Sequence, residues 1–421
     1  MSDPIISPGA IPSSLVALLT RADTRAAVAD LASSATADPV ATTTRLRKRY
    51  LAEVVAAAMT LHDVRTRASA KFPQASAMLL TRAGYEQASS AAVAEWRAQR
   101  FAGCRAIADL CCGIGGDLMA LAALPHVDRL IAVDLNPDHL AMALANTTLV
   151  ATGATVVGMA IDVRAADLDG LDGVFIDPAR RDSDSRFAHG ETEPPLAWCL
   201  GLAERVPKVG IKLAPGIDHD AIPDGWELET IARGTELKEG VMWSPALATA
   251  PRRATVIGED GTASMAGPGD SAESNVVTPL GHPSPGWWLH DPNPAVTRAG
   301  LVQSLATSLD VRPIDPHIAF LVGTSPTSSP FVRSRPILAS LPWDEKALRK
   351  TLADLNAGAI DIRRRGLAGD VEAIARRLRR GLPRQGSRPC WIAMTRAAGR
   401  PWAVVCEETG GRETTDTPAG P

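Results

Sequence analysis

The stretch AIADLCCGIGGD, residues 106–117, carries the strongest information about the fold. It begins with a short apolar run typical of a buried strand and ends in a run typical of a helix. Between the two, Gly113 and Gly115 allow a tight turn and a close approach of the backbone to a ligand, where a Cβ would collide. The stretch predicts a strand, a ligand-binding loop and a helix, with a spacing that differs from the G-x-G-x-x-G of dinucleotide-binding loops.

Downstream of this loop, short β-rich runs alternate with helical ones. The predicted strands are RLIAVDL (129–135), ATVVGMAID (154–162), GVFIDP (173–178) and KVGIKLAP (208–215). Strands and helices that alternate at this spacing predict a parallel sheet flanked by helices, which places the domain in the α/β class. WELETIA (226–232) and RRATVIG (252–258) then predict an antiparallel pair that closes one edge of the sheet.

The rest of the chain divides by composition. The length of 421 residues suggests two or three domains. Ala- and Leu-rich runs at helical spacing, Ser13–Leu31 and Leu46–Val64, predict a helical N-terminal region over residues 1–100. Residues 259–286 are rich in Gly, Ser and Pro and predict a linker between the α/β domain, 101–258, and an α+β domain, 287–410.

Composition also argues against several classes of protein. No apolar run approaches the roughly 20 residues of a membrane span, and the N-terminus has no basic start followed by an apolar stretch, as a secretory signal would. The six cysteines form no C-x-x-C pair and are not spaced with histidines as zinc ligands are. We therefore expect a reduced, cytoplasmic protein with no membrane segment and no metal.

Carboxylates end three predicted strands in succession, at Asp109, Asp134 and Asp162. The carboxyl ends of parallel strands meet at one edge of the sheet, where open α/β domains bind their ligands. At that edge Asp134 can accept both hydroxyls of a ribose, and Asp162 can accept from the amino group of an adenine. Each aspartate alone is explained equally well as a cap or turn residue, but the three together with the glycine loop favour a nucleoside site.

From about Gly103 to Gly258 the sequence resembles the class I S-adenosylmethionine-dependent methyltransferases. Residues 109–117, DLCCGIGGD, are similar to that family's first motif, D-x-G-x-G-x-G, with Cys111 in place of the first glycine. The resemblance implies a Rossmann-like sheet and S-adenosyl-L-methionine as cofactor. It assigns the methionine part to the loop, the ribose to Asp134 and the adenine to Asp162, with the loop contacts made by Asp109, Cys111, Gly113, Gly115 and Asp117.

The run Asp177-Pro178-Ala179-Arg180 ends the fourth predicted strand and resembles the D/N-P-P-Y/F motif of methyltransferases that act on exocyclic base nitrogens. An amino nitrogen conjugated to a ring is a poor nucleophile, and acceptors on its N–H groups turn its lone pair toward the methyl group. The resemblance assigns this role to the Asp177 side chain and the Pro178 carbonyl. Ala179 replaces the second proline, and Arg180 stands where the motif has an aromatic residue.

Arg180 and Arg181 have two interpretations. They contact a phosphate or carboxylate of the substrate, or they form a surface turn with the acidic residues Asp182 and Asp184. We predict a catalytic role for Arg180 and a substrate contact for Arg181. Lys212, at the end of the fifth predicted strand, lies at the same sheet edge and is predicted on the substrate side.

The stretch LLTRAGYEQASSAAVAEWRAQRF, residues 79–101, precedes the first strand. Its placement is similar to that of the segment that covers the cofactor pocket in trimethylguanosine-synthase-like enzymes. Ser89 and Ser90 are explained by the N-cap of a helix that begins at residue 91. Gln87 is therefore the predicted cofactor contact in this segment.

The C-terminal part is strongly basic. Residues 331–400 contain 16 Lys and Arg against 6 Asp and Glu, a net charge of +10, so the remainder carries −3 − 10 = −13. Arg363, Arg364 and Arg365 end a predicted strand, and four further arginines end a predicted helix. Some of these charges are explained by the helix dipole or by an ordinary solvated surface. A basic face is also the electrostatic footprint of a protein that binds a phosphate backbone.

The runs WWLHDPNPAVTRAGLV (287–302), IDIRRRG (360–366) and MTRAAGRPWAVV (394–405) resemble the THUMP-like domain that follows such methyltransferases, chiefly in bacteria. The L-T-R-x-G-x-E-Q-A pattern at residues 80–88 occurs in the same proteins. THUMP domains proper bind RNA, so the leading hypothesis is methyl transfer to a base nitrogen of structured RNA, tRNA or rRNA, with Arg181, Lys212 and Arg363–Arg365 as substrate contacts. The alternatives are a methyltransferase for a small molecule or a protein, with the basic domain as a lid, and a binding protein that has lost its activity.

Overall fold

The computed structural model describes residues 13–33, 38–150, 153–180, 192–270, 277–380, 382 and 388–408. The chain divides into two compact units. The first comprises Met1–Glu229 and Glu239–Thr249, and the second Thr230–Lys238 and Ala250–Pro421. Residues 250–258, which we predicted as the end of the α/β domain, therefore belong to the second unit.

The first unit opens with helices and continues as an α/β sheet. Its helices are α1 (Ser14–Thr20), α2 (Ala22–Ala32), α3 (Pro39–Arg47), α4 (Ala52–Ala68), α5 (Arg82–Gln87), α6 (Ala91–Ala98), α7 (Gly116–Ala122), α8 (Pro137–Thr147) and α9 (Leu196–Gly201). Its strands are β1 (Ala106–Leu110), β2 (Arg129–Val133), β3 (Thr155–Met159), β4 (Gly173–Ile176), β5 (Ala179–Arg180), β6 (Thr192–Glu193), β7 (Lys208–Leu213), β8 (Glu227–Arg233) and β9 (Glu236–Trp243), of which β8 and β9 extend into the second unit.

The predicted N-terminal helices are each interrupted. The first is two helices, α1 and α2, because Arg21 has an extended backbone with φ −56° and ψ 145°. The second does not begin at Leu46. Leu46 lies instead in the last turn of α3, which ends at Arg47, and α4 starts at Ala52 after a turn. Apolar spacing continued across both breaks, which is why the sequence pattern did not show them.

The main sheet includes the consecutive strands β8-β9-β7-β4-β1-β2-β3. Strands β7, β4, β1, β2 and β3 are parallel, as predicted. The antiparallel neighbour of β7 is β9, which the sequence analysis missed. Its sequence, ELKEGVMW, starts with charged residues and contains a glycine, so it lacks the apolar pattern of a central strand. RRATVIG is the strand β10 (Arg252–Gly258) of the second unit, and it neighbours β8, so the predicted pairing of WELETIA with RRATVIG is confirmed, whereas β8 reaches the parallel strands only through β9.

An apolar cluster lies on one face of this sheet, and its members include Ala108, Leu110, Val174, Ile176, Val209 and Ile211. The alternate residues of β1 and β4, Asp109 and Phe175, belong to the opposite face because side chains alternate along a strand. That second face carries the polar groups of the site described below.

The second unit begins with an antiparallel hairpin of β10 (Arg252–Gly258) and β11 (Gly261–Gly267). Strand β11 lies inside the predicted linker, so the linker prediction is wrong for these residues. The strand is built of small residues, GTASMAG, which hides its pattern. The turn between the two strands is Glu259-Asp260, and Gly261, which begins β11, has φ +128°, a conformation that favours glycine.

The α+β part of the second unit is a seven-stranded sheet, in the order β13-β14-β12-β15-β18-β17-β16. The strands are β12 (Trp288–Pro292), β13 (Arg312–Asp315), β14 (Ile318–Gly323), β15 (Val332–Pro342), β16 (Ala357–Arg364), β17 (Arg388–Ala397) and β18 (Arg400–Glu407). The helices are α10 (Pro294–Ala299), α11 (Val302–Leu309), α12 (Glu345–Asp354) and α13 (Val371–Arg379). Helix α10 ends at Gly300, which has φ +68°, so that α10 and α11 are separate helices.

Candidate cofactor and reaction site

The glycine loop joins β1 to α7 through three residues with left-handed backbone. Cys111 has φ +61°, Gly113 φ +53° and Gly115 φ +88°. A Cβ on Gly115 would lie 2.9 Å from the Cα of Ala143, so helix α8 approaches the loop as closely as its backbone allows. Cys111 keeps the conformation of the glycine that it replaces, at a cost of about 1–2 kcal/mol for an L-residue. The loop thus has the shape that the first-motif resemblance implies.

Asp134 lies beside this loop, as predicted. Its Oδ2 accepts a hydrogen bond of 2.8 Å from the Gly113 N–H, and its Oδ1 accepts one of 2.8 Å from the Asn136 N–H. A carboxylate has more acceptor sites than these two bonds use, so hydroxyl groups of a ligand can still be bound. Leu135, the next residue, is 74% exposed and offers an apolar surface beside the carboxylate, a feature that the sequence analysis did not single out.

Three polar side chains near the loop are buried without partners among the described residues. Neither carboxyl oxygen of Asp109, which is 1% exposed, makes a hydrogen bond, and the same holds for the hydroxyls of Ser89 and Ser90. The Ser89 carbonyl lies 3.3 Å from where a Cβ of Gly116 would be, so this segment packs on the start of α7. Buried polar groups are nearly always satisfied, so these atoms are candidates to bind the polar groups of a ligand.

This finding corrects the interpretation of residues 79–101. Ser90 is at the N-cap position of α6, but its side chain makes no capping bond. The cap therefore does not explain the serines. Gln87, the predicted cofactor contact, is the exposed last residue of α5. Buried and unpartnered, Ser89 and Ser90 are stronger candidates for a ligand contact than Gln87.

A buried ion cluster, which the sequence analysis missed, lies beside these residues. Arg97 of α6 is 1% exposed and forms ion pairs with Asp117 of α7 and Glu239 of β9. Its guanidinium also lies over the Phe175 ring, 4.9 Å from the ring centroid. Asp117, predicted as a cofactor contact, is thus held by an arginine, and the cluster fixes α6 against the glycine-loop helix. Only a tertiary contact reveals this role.

Lys212 and Asp177 form the reaction end of the site. Lys212 Nζ lies 2.6 Å from Asp177 Oδ2, with the two side chains 14% and 33% exposed. Burial lowers the pKa of Lys212, but the Asp177 and Glu239 carboxylates outweigh it and raise that pKa overall. Lys212 therefore stays an ammonium. The Asp177 N–H donates to the Leu110 carbonyl over 3.2 Å, so Asp177 lies at the carboxyl edge directly beside the end of β1.

The remaining residues of the predicted motif are partly described. Pro178 is buried, and Ala179 and Arg180 form the short strand β5, which pairs with Thr192 and Glu193. For Arg180 only the backbone is described, and Arg181, Asp182 and Asp184 lie outside the described residues. Their two interpretations therefore stay open.

Asp162 occupies the position of an ordinary cap. Its Oδ1 accepts from the Arg164 N–H over 2.9 Å, and its Oδ2 pairs with the Arg164 guanidinium at 3.0 Å. The side chain is exposed, and Arg164 also pairs with Glu193. The cap interpretation accounts for all of these contacts, and the adenine contact of Asp162 stays a prediction.

Asn146 of α8 is a positioning residue that the sequence analysis missed. Its side chain is fully buried, accepts from the Leu79 N–H over 2.7 Å, and donates to the carbonyls of Leu79 and Ile114 over 3.0 Å each. One amide group thereby joins helix α8, the segment that begins at residue 79 and the glycine loop. The only signal in the sequence is a polar residue on an apolar helix.

The arginine triplet in the second unit is not uniform. Arg363 and Arg364 are exposed. Arg365 pairs with Asp291 at 2.8 Å, donates to the carbonyls of Ala319 and Pro292, and stacks over Phe320. Arg365 is therefore a structural residue, and its prediction as a substrate contact is wrong. The physical reason is that β16 ends after Arg364, so that the next side chain turns into the unit.

Membrane-spanning helices and metal clusters are both absent from the residues that the structure describes. No helix there is long and apolar enough to cross a membrane. No group of three or more His, Cys, Asp or Glu side chains within those ranges could hold a metal ion.

A parallel sheet of this order, a left-handed glycine loop after β1 and an acidic residue after β2 define the fold and site of a class I methyltransferase. A family model described as THUMP domain-like matches residues 332–408. An uncharacterized S-adenosylmethionine-dependent methyltransferase of Mycobacterium tuberculosis, found in strains CDC 1551 and H37Rv, is 34% identical over 331 residues, which are 76% of this chain and 84% of that protein. The chain belongs to the S-adenosylmethionine-dependent methyltransferases.

A solved structure supports the same fold over nearly the whole chain. The crystal structure of a candidate methyltransferase from Porphyromonas gingivalis W83 superposes with a TM-score of 0.69 at 18% identity, covering 94% of this chain and 99% of that one. The expected fold class, an α/β methyltransferase domain with a THUMP-like domain, is thus confirmed, as are the enzyme class and the cofactor, S-adenosyl-L-methionine. The unpartnered atoms of Asp109, Ser89 and Ser90 fit that cofactor, which carries polar amino-acid and ribose groups.

Proposed function

We propose that this enzyme transfers a methyl group to an amino nitrogen of a base in structured RNA, either tRNA or rRNA. The observation that carries the proposal is Asp177. Its carboxylate lies at the carboxyl edge beside β1 and is one-third exposed, with one oxygen held by Lys212. An anchored acceptor at this edge suits an N–H group that has to be oriented before it reacts.

The cofactor would be held by the loop side of the site. Asp134 would accept the ribose hydroxyls, and Leu135 would pack against the flat base. Asp109 and the two serines would receive the polar groups of the methionine part, because their side chains are buried and unpartnered. Gly113 and Gly115 leave room for the backbone to approach. Asp162 and Gln87 stay predicted contacts, and Cys111 and Asp117 would act by shaping the loop.

Asp177 would do its work on the incoming amine. When bound, the cofactor supplies a methyl group on a positively charged sulfur, which is a strong electrophile. Asp177 would accept one N–H of the amine and the Pro178 carbonyl a second, so that the nitrogen lone pair points at the methyl carbon. Lys212 would hold Asp177 in place as an ion pair, because its ammonium is kept charged by Asp177 and Glu239. Catalysis then rests on orientation and on preorganised charge.

The second unit supplies a surface for RNA. Helix α12 carries exposed Lys346, Arg349 and Lys350 at i, i+3 and i+4. Helix α13 carries exposed Arg376, and exposed Arg380 is its C-cap residue. The helices are in contact and are joined by the Glu345–Arg377 ion pair at 2.7 Å. We call these five cations the basic helix surface. Arg335 and Arg365 of this unit are engaged internally, by Glu408 and Asp291.

The location and type of this surface favour RNA over the other substrate classes. It lies within the part that matches the THUMP domain-like model, residues 332–408. Clustered cations on adjacent helices suit a polyanion whose phosphates repeat along a chain. A small substrate would not require them. A cytoplasmic location, which RNA methylation would require, stays a prediction.

The proposal is tested with cofactor that carries a labelled methyl group. Purified enzyme is incubated separately with total RNA, total protein and a small-molecule extract from cells that lack the gene. The proposal predicts label in RNA, located by nucleoside digestion on an exocyclic amine, and its absence with Asp177→Ala enzyme that still binds cofactor. Label in protein or in a small molecule, with none in RNA, would refute the choice of substrate and favour the alternative in which the basic domain is a lid.

A further inference from the structure

Ser89 and Ser90 are held in place by their neighbours, because their own buried hydroxyls make no hydrogen bond within the described residues. Lys71 contacts the chain on both sides of the pair. Its ammonium donates to the Tyr85 carbonyl over 2.7 Å, and its carbonyl accepts from the Ala91 N–H over 3.0 Å. One residue thereby fixes the spacing between the end of α5 and the start of α6, and the two serines lie between these points.

The Lys71 side chain is well suited to this contact. It belongs to the helical N-terminal region, shortly after α4 ends at Ala68. Its ammonium lies 5.1 Å from the centroid of the Tyr85 ring and 6.0 Å from that of Phe72. Tyr85 is in the last turn of α5, where cations bind the final carbonyls of a helix favourably. A hydrogen bond from a charged donor is roughly twice as strong as a neutral one, so the end of α5 is firmly attached to the helical region.

The stretch that contains the serines also packs on the glycine loop at two points. A Cβ on Gly84 would lie 2.4 Å from Cγ2 of Ile114, so α5 approaches the loop as closely as a glycine allows. Thr81 caps α5 and accepts from the Gly84 N–H over 3.0 Å. At the second point the Ser89 carbonyl faces Gly116. Any shift of α5 therefore moves the serines relative to the loop.

We infer that Lys71 and Gly84 are positioning residues that place Ser89 and Ser90 against the amino-acid end of the cofactor, which makes the helical N-terminal region part of the cofactor site. This inference rests on the proposed placement of the methionine part. Both residues act through the serines and not by touching the cofactor. Their replacement should therefore weaken ligands that carry the amino-acid part and spare ligands that lack it.

The first test is titration calorimetry with S-adenosylhomocysteine and with 5′-methylthioadenosine, which lacks the amino-acid part. Lys71→Met keeps the aliphatic stem and removes the charged donor. It is expected to raise the Kd of S-adenosylhomocysteine about tenfold, the loss typical of one hydrogen bond, and to leave the Kd of 5′-methylthioadenosine nearly unchanged. Lys71→Arg keeps a charged donor and should bind S-adenosylhomocysteine nearly as the wild type does. The control is Lys208→Met, which changes another half-buried lysine, the first residue of β7, and should alter neither Kd.

The second test is a double-mutant cycle between α5 and the glycine loop. Gly84→Ala adds a methyl group that overlaps the Ile114 side chain, and it should weaken S-adenosylhomocysteine selectively. Ile114→Ala removes the overlapping atoms, so the double variant should bind more tightly than the sum of the two single losses predicts. Losses that simply add would show that the contact between Gly84 and Ile114 does not position the serines.

The outcomes separate this inference from the proposed function. Equal weakening of both ligands by Lys71→Met, or no weakening of either, overturns the inference and leaves the methyltransferase site in place. Lys71→Arg that binds as weakly as Lys71→Met overturns it too. Should the Lys71 or the Gly84 variant fail to fold, the other test decides. A wild-type protein that binds neither ligand would contradict the proposed site itself.

Discussion

The two units use charge in opposite ways. In the first unit the cations Arg97 and Lys212 are buried and each is held by carboxylates, within a site that has more acidic than basic groups. In the second unit the five cations of the basic helix surface are exposed to solvent. Buried pairs are little screened by salt, whereas exposed cations act through a field that salt screens strongly. Cofactor binding should therefore tolerate salt, and RNA binding should not.

The largest effect on stability is expected at the buried cluster. Arg97→Met removes the partner of Asp117 and Glu239 and leaves two carboxylates buried, which should lower the free energy of unfolding by about 3–5 kcal/mol. Arg105→Met, which removes an exposed pair with Asp128, should cost at most about 1 kcal/mol. Chemical denaturation of both variants measures the difference. Equal losses would show that Arg97 does not fix α6 to the loop helix.

The next largest effect is expected on turnover. Asp177→Ala should reduce the rate at saturating substrate by about a hundredfold to a thousandfold, because it removes the oriented acceptor, which matters most in the transition state. The Kd of the cofactor should change little. Single-turnover methyl transfer and calorimetry are the two measurements. Loss of cofactor binding with normal turnover would reverse the roles that we give to the two ends of the site.

A smaller effect, specific to salt, is expected at the basic helix surface. Replacing Lys346, Arg349 and Lys350 with Gln should weaken RNA binding and reduce the slope of log K against log salt by about 0.7–0.9 for each RNA phosphate that is no longer neutralised. The control replaces three exposed cations of the helical region with Gln, namely Arg45, Arg47 and Lys48. It makes the same change of charge elsewhere and should leave the slope of log K against log salt unaltered. Filter binding at several salt concentrations compares them. Equal slopes for both triple variants would show that the basic helix surface does not neutralise RNA phosphates.

The smallest effect concerns the adjacent cysteines. Cys111→Gly removes the strain of an L-residue in the left-handed conformation, which is about 1–2 kcal/mol. It also raises the entropy that is lost on folding, which costs about 0.5–1 kcal/mol. The free energy of unfolding should therefore stay the same or rise slightly. Cys112 is buried and does not have a positive φ. Cys112→Gly should therefore lower the free energy of unfolding by about 1–2 kcal/mol. Thermal unfolding of the pair tests whether the loop conformation is strained at Cys111 alone. The same loss of stability in both variants would show that the backbone at Cys111 is not strained.

Local patterns predicted the site's framework well. The glycine loop, the parallel strands and the acidic strand ends all follow from short stretches around Asp109 and Asp134. Strands β9 and β11 were missed because charged or small residues hide their alternation. The partners of Arg97, Asn146 and Arg365 depend on contacts between residues far apart in the chain, and no local pattern specifies them. The serines at 89 and 90 were assigned to a cap that their side chains do not make.

The measurement that tests the central claim most directly is mass spectrometry of nucleosides from tRNA and rRNA. Three strains are compared: one with the wild-type gene, one without it, and one whose chromosomal copy encodes Asp177→Ala. The account predicts that one nucleoside methylated on an exocyclic amine is present in the first strain and missing from the other two. Identical methylated nucleosides in all three, with the wild-type protein expressed, would contradict RNA base methylation by this enzyme.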